Sequence, residues 1–134
     1  MHPHHLALIY TMVLMSAADR EMSDAELASL GEIVRTWPVF RDFDRGHLTE
    51  AAQDCAGLLQ AEEGLETTVQ RIDQDLPHNL RETAYALACE IAAADGSAGP
   101  EEMRLLEILR DRLEIPRLSA AAIEHTTRVR HLAV

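Results

Sequence analysis

Acidic side chains gather at two places in this chain, with the same spacing each time. Asp19 and Glu26 are seven residues apart, and so are Asp95 and Glu102. Each Asp closes an Ala-Ala-Asp triplet at the end of an apolar run. Each Glu opens a second apolar run, carried by Leu27, Leu30 and Ile33 in one copy and by Met103, Leu106 and Leu109 in the other. The offset between the copies is 76 residues. Carboxylates brought together in this way offer hard oxygen donors, the chemistry that Ca²⁺ and Mg²⁺ select. Glu21 and Asp24 add to the first group, and Glu101 to the second. An EF-hand loop needs acids at alternate positions and a Glu eleven residues after the first Asp, so this is a different arrangement.

The same residues also have a purely structural reading. Ser23 followed three residues later by Glu26 is a capping box, in which each side chain satisfies a backbone N–H of the other. Glu102 occupies the third position of a helix opened by Pro100, also a favourable place for an acid. The aspartates differ. Asp19 and Asp95 stand at the C-terminal ends of helices, against the negative end of the macrodipole, at a cost of a few tenths of a kcal/mol, roughly. They can instead accept backbone N–H groups of the following turn. Cation ligands and helix caps both remain open readings.

Other groups that could do chemistry are more scattered. His2, His4 and His5 cluster at the N-terminus, where a frayed end is expected and Zn²⁺ binding is the alternative. Cys55 and Cys89 are far apart and fall inside predicted helices, as buried reduced thiols would. Glu90 interrupts an apolar helix, where it should meet an arginine such as Arg81 or Arg104, with an orientation toward the acidic turns as the alternative. Nucleophile elbows, phosphate loops, dinucleotide fingerprints and zinc-protease signatures are all missing from the sequence, so the chain reads as a non-enzyme.

The elements that must hold these residues read as seven helices. They cover about residues 4–18, 24–36, 47–61, 65–75, 78–94, 100–114 and 118–131, with Pro38, Pro77 and Pro116 as breaks. The first is apolar nearly all round and should be central. Leu65, Val69, Ile72 and Leu76 form the stripe expected of the fourth. Phe40 and Phe43 in the connection after Pro38 should plug the bundle, with Trp37 as a cap on the core. The expected architecture is a single all-α domain over residues 1–134, with an internal pseudo-twofold that matches the first two helices to the fifth and sixth.

Composition supports that class. Of the 134 residues, 47% are hydrophobic and only 4% aromatic, which favours helices packed through small side chains over a sheet. The net charge of −11 argues against nucleic acid. Residues 1–103 carry 19 acids against 6 arginines, whereas residues 104–134 carry 4 against 6. An acidic body of this kind suits a cation or a basic surface on a partner. The apolar run over residues 6–18 is shorter than a membrane span and lacks a basic leader, so no signal peptide or transmembrane segment is expected.

The doubled Ala-Ala-Asp…Glu pattern, with residues 10–30, 34–44 and 80–113, resembles the tellurite-resistance TerB-like family. The resemblance spans nearly the whole chain. It implies an all-helical bundle in the bacterial cytoplasm, tied to tellurite resistance and metal stress. It implies a divalent cation, Ca²⁺, Mg²⁺ or Zn²⁺, held at the positions of Asp19, Glu26, Asp95 and Glu102. It also implies a protein partner, with a membrane-associated stress-response complex among the candidates, and leaves homo-oligomerisation open. The two turns differ in detail. Arg20, Glu21 and Ser23 of the first stand where the second has Gly96, Ser97 and Gly99.

Overall fold

The computed structural model describes residues 2–17, 22–94 and 99–133. Helix α1 (Pro3–Ala17) forms the centre. Its residues 7–16 are all buried, as an all-round apolar helix requires. Its polar Thr11 avoids an orphaned hydroxyl by donating to the Ala7 carbonyl at 2.8 Å.

Helix α2 (Asp24–Thr36) buries Leu30, Ile33 and Val34. It stops where the residue before Pro38 is pushed out of helical conformation, and Trp37 is extended there. Two 3-10 turns, Pro38–Phe40 and Arg45–His47, carry the chain to α3 (Leu48–Gln60). Phe40 and Phe43 are buried between them, and Trp37 is half-buried against the core.

α3 turns tightly into α4 (Gly64–Asp75). Glu63 takes a left-handed φ of 56°, and a Cβ on Gly64 would lie 2.5 Å from the carbonyls of Leu58 and Leu59. Only glycine fits that approach. α4 differs from expectation at its start. Leu65 is exposed, while Gly64 and Thr68 are buried beside Val69 and Ile72. The close turn rotates the first residues of α4, so that Gly64 faces inward and its neighbour outward.

A third 3-10 turn, His78–Leu80, leads into α5 (Arg81–Ala94), followed by α6 (Pro100–Arg112) and α7 (Arg117–Arg130). α1 packs against α3, α4 and α5, and α5 in turn against α6 and α7. Among the described residues the architecture is all-α with seven α-helices, as expected. No described helix is long and apolar enough to cross a membrane.

The relative direction of α1 and α5 matters most for the acidic turns. His5, in the first turn of α1, bonds the Val39 carbonyl at 3.1 Å. Val39 shares a groove with Glu82, Thr83 and Ala86, at the start of α5. The two helices therefore begin at one end of the bundle and run in the same sense. α7 follows α5 likewise, since Tyr85 meets Glu124 and, further on, Glu90 meets Arg130.

Candidate functional site

Of the four carboxylates singled out by the sequence, Asp19 and Asp95 lie outside the described residues. Glu26 is the third residue of α2 and is half-buried. Its Oε1 accepts the Ser23 N–H at 3.0 Å, and Ser23 Oγ accepts the Glu26 N–H at 3.2 Å. The capping box is thus fully formed. Glu102 is the third residue of α6, also half-buried. Its Oε2 lies 3.0 Å from where a Cβ on Gly99 would sit, so the carboxylate folds back over the start of its own helix. α6 opens on Gly99 with no side-chain cap and with Pro100 in its first turn. The donor set of these residues is entirely oxygen, which fits a hard divalent cation. Among the described residues, no three His, Cys, Asp or Glu side chains converge as a metal site would require.

The N-terminal histidines are not frayed. α1 begins at Pro3, so His4 and His5 belong to the helix. His5 is 3% exposed, bonded to Val39 and ringed by Phe40 and Phe43 at centroid distances of 6.0 and 5.5 Å. Burial, then the neighbouring His4, lowers its pKa. His4 is lowered by burial and by His2. The imidazole ring packs against the two Phe rings while its nitrogen meets the Val39 carbonyl, so the buried polar atom is satisfied.

Glu90 pairs with neither Arg81 nor Arg104. Arg130 Nη1 donates to its Oε1 at 3.0 Å, and His131 Nε2 lies 2.7 Å from its Oε2. Arg81 is taken by Asp73 at 2.9 Å and Arg104 by Glu107 at 3.2 Å. An arginine partner was the right chemistry, but it comes from the end of α7, forty residues away in sequence.

Sequence reasoning missed a second polar group. The buried Tyr85 hydroxyl donates to Glu124 Oε2, which also accepts from Arg110 Nη1 at 3.3 Å. Burial, then the Glu124 hydrogen bond, pushes the Tyr85 hydroxyl far up. Tyr85, Cys89, Arg110 and Glu124 line a cavity of about 570 Å³ between α5, α6 and α7. A tyrosine in an Ala-rich helix was the available signal, because a buried hydroxyl demands a partner.

Both cysteines are buried free thiols, as expected. Burial pushes Cys55 up to about 12 and Cys89 up to about 11. Neither is a nucleophile at neutral pH, because the thiolate is the reactive form.

Seven α-helices and no strand among the described residues define an all-α helical module. The chain belongs to the family of the tellurite resistance protein TerB, whose family model matches residues 5–125. Comparisons with curated proteins and with solved structures gave no match.

Proposed function

We propose that this chain is a non-enzymatic cytoplasmic module of the tellurite and metal-stress response. In this reading it binds a divalent cation at the end of the bundle where α1 and α5 terminate, with Asp19, Glu26, Asp95 and Glu102 as the ligands. The observation that carries the reading is the common direction of α1 and α5. Helices that start together and run in the same sense also end together, so the last described residues of α1 and α5, Ala17 and Ala94, stand at one end of the bundle. The C-terminal ends of two parallel helices present two negative dipole ends, which favour a cation there. The oxygen donors favour Ca²⁺ or Mg²⁺ over Zn²⁺, which prefers imidazole and thiolate.

The test is calorimetric titration of the chain with Ca²⁺, Mg²⁺ and Zn²⁺, repeated on Asp19→Asn and Asp95→Asn. The proposal expects saturable binding in the wild type and its loss in both variants. Binding that survives both substitutions, or no binding at millimolar cation, removes it.

A second reading treats the acidic turns as helix caps in a protein-interaction domain, and the complete Ser23–Glu26 box favours it. There Asp19→Asn and Asp95→Asn would change stability equally with and without cation.

A further inference from the structure

α7 is amphipathic twice over. Ala120 and Thr127, seven residues apart, are buried against α5, and Ile123 between them is half-buried. The opposite face carries Leu118, Ala122, His125 and Val129, all exposed, and Leu132 follows in the turn just past the helix end. The intervals alternate between four and three residues, the spacing of seam positions in paired helices. At about 100° per residue, the four helical side chains project within roughly a 60° arc. Leu118 is 83% exposed, Val129 52% and Leu132 73%. Among the described residues only five large hydrophobics are exposed, and three of them fall on this stripe. A helix that needed only its contact with α5 would carry polar residues here.

The flanking charges indicate the occupant. Arg117 and Arg128 border the stripe, and among the described residues neither forms an ion pair with a carboxylate. Arg128 instead approaches His125 Nδ1 at 3.2 Å. The one acid of α7, Glu124, is turned inward to Tyr85 and Arg110. A second copy of α7 would bring no carboxylate to either arginine, and in an antiparallel pairing would set His125 against His125. A helix with apolar seam residues and flanking Glu or Asp would satisfy both arginines. Arg128 and Leu132 also border the cavity that Met103 and Leu106 line, which gives such a helix a recess for one large side chain.

We infer that the outer face of α7 docks an acidic amphipathic helix of another protein. This inference is independent of cation binding, and the test is run with chelator present so that the two can fail separately. The probe is a labelled peptide of about three heptads with Leu at both seam positions and Glu at the flanking ones. A second probe carries Lys in place of every Glu. Fluorescence anisotropy with the full chain should show saturable binding of the Glu peptide, weakened by salt. Val129→Glu and Leu118→Glu should each weaken it at least about tenfold, as removal of a seam contact implies. Both side chains are exposed, so the thermal melts of the variants should match the wild type. The inference is overturned by no binding of the Glu peptide, by equal binding of the Lys peptide, or by binding indifferent to both substitutions. It is also overturned if sedimentation shows the chain pairing with itself in a manner that Val129→Glu abolishes.

Discussion

Glu26 is where the cap and cation readings can be separated by one atom. Glu26→Gln keeps the capping box, because Gln at this position also accepts the N-cap N–H. It removes the negative charge that a divalent ligand set needs. Without cation the variant should lose only the favourable charge at the α2 N-terminus, roughly 0.3–1 kcal/mol. For 134 residues, unfolding entropy of about 2.1 cal/mol/K per residue makes 1 kcal/mol worth about 3–4 °C in Tm. The cation-free melt of Glu26→Gln should therefore fall by no more than about 3–4 °C. A cation at a hundredfold excess over its Kd stabilises by about 2.7 kcal/mol, or close to 10 °C on the same scale. Wild type should gain that increment and Glu26→Gln should lose most of it. Ser23→Ala serves as the reverse control. It should cost about 1 kcal/mol with or without cation and keep the full cation increment. Differential scanning calorimetry on the three chains decides the matter. If Glu26→Gln retains the full increment, Glu26 is a cap and not a ligand, and the reasoning fails at that residue.

Gly64→Ala should destabilise by roughly 1–3 kcal/mol in a denaturant titration, since its Cβ would be driven into the Leu58 and Leu59 carbonyls. Tyr85→Phe should cost about 1–2 kcal/mol by the same measurement, the worth of a buried hydroxyl bonded to a carboxylate. The raised thiols of Cys55 and Cys89 set an alkaline limit. Their contribution is complete below the unfolded thiol pKa of about 8.5 and is lost as pH rises through the folded values. Stability measured from pH 8 to 11 should decline, and more shallowly in Cys55→Ala/Cys89→Ala. His5 has the opposite sign. Its lowered pKa makes its contribution complete above about pH 6.5 and lost as pH falls below that. Melts between pH 7.5 and 5 should drop in wild type and flatten in His5→Gln.

What the sequence disclosed and what it hid follow from the range of the forces involved. The Ser23–Glu26 box and the stops at Trp37–Pro38 were legible because their physics is completed within a few residues. The burial of α1 was legible because a helix apolar on every side has only one place to go. Leu65 was misassigned for a local reason of another kind. A stripe counted at helical spacing assumes the helix starts in register, and the approach of Gly64 to two carbonyls fixes that start instead. His5 was misread because its solvation is decided by Phe40 and Phe43, more than thirty residues on.

Glu90 was legible in its need and not in its partner. A carboxylate on a helix otherwise buried must find a cation. Which arginine supplies it depends on the direction in which α7 crosses α5, and that direction follows from the turn at residues 113–116 and from the burial of Ala120 and Thr127. Once α7 lies parallel to α5, Glu90 can be reached only from the far end of α7, and Arg130 and His131 are what stand there. The same placement turns Leu118 and Val129 outward. The inner contacts of α7 and its unpartnered outer stripe are therefore consequences of one choice of helix direction. Breaking the inner pair tests the outer face as well: Glu90→Ala should loosen the end of α7 and weaken binding of the acidic peptide there, while Leu118, at the opposite end of the helix, keeps its exposure.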